Sequence, residues 1–80
     1  MDALDGNAIA GELYEFFGTE MTAATGICRR CARASVLAEL HVYTRAPGAV
    51  ARCPHCGSVV MVIVDVGVKR IHHEGLELPG

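Results

Sequence analysis

The sequence predicts an α+β domain: one N-terminal helix followed by a small antiparallel, zinc-ribbon-like sheet. Three observations predict it. Cys28-Arg29-Arg30-Cys31 and Cys53-Pro54-His55-Cys56 are two Cys-x-x-Cys loops with 21 residues between them, just beyond the usual four-cysteine zinc gap of about 15–20 residues. Apolar residues recur at helical spacing near the N-terminus, and beyond the first loop they follow the patterns of strands. Eighty residues also lie at the size where a hydrophobic core alone barely balances chain entropy, so a staple is expected.

The helix comes first. Asp5 or Asn7 can cap its free amides, and Ile9, Leu13, Phe16 and Phe17 fall at i, i+4, i+7 and i+8 on one face. Gly18 is placed to end it, which gives a helical unit over residues 4–18 that packs on the sheet. Residues 20–73 are assigned to the ribbon. Glu20 to Ile27 reads as extended, and Gly26 eases a turn into the first loop. Val36 to Thr44 alternates, with Val36, Ala38, Leu40 and Val42 on one face and Leu37, Glu39, His41 and Tyr43 on the other. Ala46-Pro47-Gly48 is a turn, after which Ala49 to Arg52 runs into the second loop. Val59 to Val64 is continuously apolar, so both faces of that strand need cover. Gly67 marks a bend before a last strand over Val68 to His72, and residues 74–80 read as a flexible tail.

Two Cys-x-x-Cys loops facing one another offer four thiolates in a tetrahedron. That is the ligand set of a structural zinc site, closed to water and substrate. Cys28, Cys31, Cys53 and Cys56 are therefore the expected ligands, with zinc as the cofactor and iron as the alternative. Iron enters because Cys53-Pro54-His55-Cys56-Gly57 resembles the second loop of rubredoxins, although the chain has no tryptophan. His55 sits between ligands, where a side chain points outward. His72 and His73 point to opposite faces of an extended strand, so no second metal site is expected from them.

Charge is segregated. Residues 1–20 hold five acids and no Lys or Arg, whereas residues 27–73 hold all seven basic residues against Glu39 and Asp65. Arg29, Arg30, Arg33 and Arg52 cluster at the metal loops. They either offset thiolate charge or contact nucleic-acid phosphates, which makes nucleic acid an alternative partner. A short helix covers only one face of a small sheet. The other face, with Val60, Val62 and Val64, is then an expected interface for a homodimer or a protein partner.

No catalytic constellation is present. Ser35 and Ser58 have no base beside them and lie in no Gly-x-Ser-x-Gly turn, and no P-loop pattern occurs. The expectation is a non-enzymatic binding module without a small-molecule substrate. The longest apolar run is too short to span a bilayer, and Asp2 and Asp5 stand where a signal peptide would be basic. A cytoplasmic location is therefore expected, and in that reducing compartment paired cysteines hold metal rather than disulfides.

The opening Leu4-Asp5-Gly6-Asn7-Ala8, the lead-in Met21-Thr22-Ala23-Ala24-Thr25-Gly26, the four cysteines and Ala46-Pro47-Gly48 resemble a family of short bacterial proteins of unknown function, of the high-GC Gram-positive type. The resemblance spans residues 4 to about 64. It implies a stand-alone zinc-ribbon-like protein with the four cysteines as ligands, and it implies no activity. Ala32 stands where a glycine often follows the first pair.

Overall fold

Seven short strands form two antiparallel sheets, and one helix packs against the larger of them, in a computed structural model that describes residues 3–45 and 48–78. The α+β class is as expected, but the ribbon divides in two. The strands are β1 (Thr25–Cys28), β2 (Ala34–Val36), β3 (His41–Arg45), β4 (Gly48–Arg52), β5 (Val59–Asp65), β6 (Lys69–His72) and β7 (Leu76–Glu77). The smaller sheet has the order β2-β1-β7 and the larger β3-β4-β5-β6. Each cysteine loop projects from one sheet, so the four cysteines sit where the two sheets meet.

The helical unit is a 3-10 turn (Gly6–Ile9) running into α1 (Ala10–Phe17). The Asp5 carboxylate accepts the Asn7 N–H at 3.0 Å, and Gly18 closes the helix in the left-handed conformation at φ 75°. Ile9 and Leu13 are buried and Phe17 half-buried. Phe16, expected on the same face, is instead exposed, because a helix of two turns presents only a narrow stripe to the sheet. At its far end Lys69 of β6 reaches the Glu15 carboxylate at 2.6 Å, tying α1 to the sheet edge.

Residues 36–44 do not form one strand. A 3-10 turn over Leu37–Glu39 separates β2 from β3, with the Glu39 carboxylate accepting the Val36 N–H at 3.3 Å. The reason is burial. Leu37, Leu40 and Val42 are all inside, yet an unbroken strand would send Leu37 to the opposite face from the other two. A turn with about three residues per repeat brings Leu37 and Leu40 to the same side. The Ala46-Pro47 part of the expected turn lies outside the described residues.

Residues 74–78 are not a loose tail. β7 pairs with β1 through Ile27↔Glu77 and Cys28↔Leu76, and Leu76 is a core residue. Gly26 makes room for it: a Cβ there would lie 2.8 Å from the Leu76 side chain. That close approach, not a turn, is what the glycine serves. Gly67 is the tip of the β5–β6 hairpin, with φ 91°.

The apolar strand β5 is more completely covered than expected. Met61 and Ile63 face the helix side and are buried. Val60 is also buried, at 2 % exposure, and belongs to the core and not to an interface. Two features explain this. The β4–β5 register shifts at Arg52↔Val59, and the backbone at Gly75 presses against Val59 and Val60. Val62 and Val64, on the face away from α1, are half-buried. No helix among the described residues is long and apolar enough to cross a membrane.

Candidate metal centre

Two loops of the same backbone design build the site. In the first, Ala32 N–H donates to Cys28 O at 2.8 Å and Cys28 N–H to Arg33 O at 3.0 Å. In the second, Gly57 N–H donates to Cys53 O at 2.9 Å and Cys53 N–H to Ser58 O at 2.9 Å. The residue after each second cysteine takes a positive φ, 62° at Ala32 and 78° at Gly57. This tight reversal turns both sulfurs of a pair to one side.

All four sulfurs lie within 4.8 Å of one another. The two loops interlock: Cys28 Sγ is 3.8 Å from Cys56 Sγ and Cys31 Sγ is 3.7 Å from Cys53 Sγ. A tetrahedron with metal–sulfur bonds of about 2.3 Å has edges of about 3.8 Å, so the donor set fits one ion. These separations are far beyond a disulfide bond of about 2.0 Å, and all four cysteines are free. The cluster can hold a metal ion.

The surroundings favour charge on some sulfurs and oppose it on others. The backbone N–H of Cys31, helped by the Ser58 hydroxyl and the Arg30 N–H, draws the Cys28 thiol down to about 6. Cys56 is lowered by the Ser58 hydroxyl and N–H. At Cys31 the Arg33 N–H pulls downward, but burial and the crowding sulfurs of Cys53, Cys28 and Cys56 push it up to about 11. Four thiols this close cannot all ionise without a cation among them.

Ser58 was not legible as part of the site. Its hydroxyl lies 3.0 Å from Cys56 Sγ and 3.6 Å from Cys28 Sγ, bridging one sulfur of each loop. The available signal was its place two residues after Cys56, matching Arg33 after Cys31. His55 is exposed, as its position between ligands implies, and its N–H reaches Cys53 Sγ at 3.4 Å.

The arginines divide. Arg52 donates to the Gly57 carbonyl at 2.9 Å and so braces the second loop. Arg29, Arg30 and Arg33 are exposed around the first. Of the histidines outside the loops, His73 packs its ring against Phe17 at 5.7 Å and His72 Nδ1 lies 3.8 Å from Glu74. Among the described residues the four cysteines form the one grouping of metal-ligating side chains.

A family model matches residues 1–76, which include the helical unit, both cysteine loops and the first residue of β7. The chain belongs to DUF6510, a family of unknown function. No curated protein and no solved structure matches it. The match to DUF6510 covers nearly the whole chain, and it brings no activity with it. What this family member does has to be argued from its own geometry.

Proposed function

We propose that the chain is a non-enzymatic zinc-ribbon module. Cys28, Cys31, Cys53 and Cys56 hold a structural zinc, and the module works by contacting protein or by self-association. The observation that carries this is the closed set of four sulfurs on two matching loops. Four protein ligands leave no coordination position for water or substrate, so the metal clamps the fold and performs no chemistry on a substrate. The module acts in the cytoplasm, where its thiols stay reduced.

Protein contact is carried by exposed apolar residues at one end of the molecule. Val66 and Val68 flank the tip of the β5–β6 hairpin and are 66 % and 65 % exposed. Phe16 of α1 lines a cleft together with Gly67 of that tip. Metal analysis of natively purified protein tests the clamp: the expected result is one zinc per chain and no visible colour. A red sample containing iron supports the rubredoxin-like electron-transfer reading instead. Light scattering tests self-association, with a dimer mass expected and lost on Val66→Asp with Val68→Asp.

A second reading is nucleic-acid binding at the metal loops. It draws support from the exposure of Arg29, Arg30 and Arg33 on one rim. Phosphate contacts of this kind weaken steeply with salt, so a titration at two salt concentrations separates it from the protein-contact reading.

A further inference from the structure

The larger sheet has one face against α1 and one face away from it, and their chemistry differs sharply. Val42, Ala49, Ala51, Met61, Ile63 and Ile71 are buried on the helix side. Strand pairing fixes what stands on the other side, since neighbours across a sheet share a face. One row runs Tyr43–Val50–Val62–His72 across all four strands. Beside it run His41–Arg52 and, on the other flank, Gly48–Val64–Arg70, with Arg45 at the position opposite Gly48.

This face gathers three rings, His41 and Tyr43 from β3 and His72 from the opposite edge strand β6. It adds Arg52 and Arg70, both exposed, and a floor of half-buried valines. No Asp or Glu of the four strands occupies it; Asp65 stands in the alternate register, with Ile63. The carboxylate that approaches it is Glu74, just past β6, at 3.8 Å from His72 Nδ1. The acids of the helical unit lie across the sheet, with Glu12 and Glu15 on α1. A molecule of net charge −2 thus presents one face whose charged strand residues are all basic.

We propose that this face binds single-stranded nucleic acid. Bases stack on Tyr43, His72 and His41, the valines support them, and Arg52 and Arg70 meet phosphates. Rings interleaved with cations are what unpaired bases on a charged backbone require. Tyr43 and His72 sit on opposite edge strands, roughly 14 Å apart at about 4.8 Å per strand, so a nucleic-acid strand crossing the sheet meets a ring at each side. A second copy of the same face is a poor occupant, because isologous pairing lays one basic face on another with no strand carboxylate between them. The inference rests on the nucleic-acid reading but moves the contact from the metal loops to the sheet.

The test is fluorescence anisotropy of a labelled twelve-nucleotide oligothymidine with the metal-loaded full chain. Binding is expected at 50 mM salt. Two phosphate contacts should weaken it about sevenfold at 200 mM, from a log-log slope of about −0.7 per contact. Arg70→Glu and Tyr43→Ala should each lower affinity at least fivefold while metal content stays unchanged. Tyr43→Leu, which keeps an apolar side chain without the ring, should match Tyr43→Ala. If Arg29→Glu, Arg30→Glu and Arg33→Glu together abolish binding while the sheet variants bind normally, the sheet proposal is overturned and the loop reading stands. Absence of binding at 50 mM salt overturns both. Competition by poly-L-glutamate as effective, charge for charge, as unlabelled oligonucleotide also overturns it and makes the face a site for acidic polypeptide.

Discussion

The two cysteine loops share a backbone but not their side chains. Both close through the same pair of hydrogen bonds and the same left-handed residue, and both bury their first cysteine, with Cys28 and Cys53 each 2 % exposed. They differ in the two residues after the second cysteine. The second loop places Gly57 where positive φ is easy and Ser58 where a hydroxyl reaches two sulfurs. The first has Ala32 and Arg33 in the corresponding places, one strained and one exposed. The metal-facing geometry therefore comes from the backbone frame. The residues after each pair tune how easily that frame forms and how well the sulfurs carry charge.

The largest expected effect breaks the frame itself. Cys28→Ser and Cys53→Ser each remove a buried sulfur and leave an incomplete ligand set. Structural zinc contributes about 10–16 kcal/mol in zinc-finger peptides, comparable to the whole stability of a typical domain, about 5–15 kcal/mol. Both variants should lose the metal and the cooperative thermal transition, read by metal content and circular dichroism. Equivalent halves must fail alike. A Cys28→Ser chain that stays folded without metal would show that the core, not the clamp, holds the domain.

Next in size is the difference at Ser58. Removing groups that hydrogen-bond to metal ligands typically costs 10- to 100-fold in affinity. Ser58→Ala should therefore weaken metal binding by about that factor in competition with a chromophoric chelator. Arg33→Ala, at the matching position of the first loop, should change it little, because its side chain is exposed and what it gives the loop comes from its backbone. Equal losses from the two variants would mean that the loops are more alike than their contacts indicate.

These loops were also the part most legible in the sequence. Cysteine spacing alone identified the four residues that converge, because each Cys-x-x-Cys is a local structure and needs only a partner loop. The helix was legible too, since Asp5, the Ile9–Leu13 spacing and Gly18 are local signals. Features set by distant packing were not. The break at Leu37–Glu39 exists because Leu37 and Leu40 must both reach the core, a need that the alternation of residues 36–44 conceals. The β7 strand has only two residues, Leu76 and Glu77, too few to show a period, and it forms because β1 offers an edge and Gly26 leaves a space. Val60 lies in the core and not at an interface for a related reason: a register shift and a crossing backbone at Gly75 cover it, and neither is written in residues 59–64.

The smallest effect is the sharpest test of equivalence, because it exchanges the residue that takes the positive φ in each loop. A left-handed φ costs a residue with a Cβ roughly 1–2 kcal/mol, part of which is offset because glycine gives the unfolded chain more freedom to lose, about 0.4–1 kcal/mol. At φ 62° Ala32 bears that strain, so Ala32→Gly should stabilise by about 0.5–1 kcal/mol. Gly57→Ala should destabilise by a similar amount, and its cost is purely conformational, since a Cβ there meets nothing within 4 Å. In a domain this small, 1 kcal/mol moves the melting temperature by about 4–8 °C, measurable provided the free metal concentration is held constant, because bound metal itself shifts the transition. The double exchange moves the glycine from the second loop to the first. If the frame is the same in both, it should return the melting temperature to near that of the natural chain. A double variant well below that value would mean that the second loop needs its glycine for something beyond φ, and the two halves would then be alike in hydrogen bonding but not in strain.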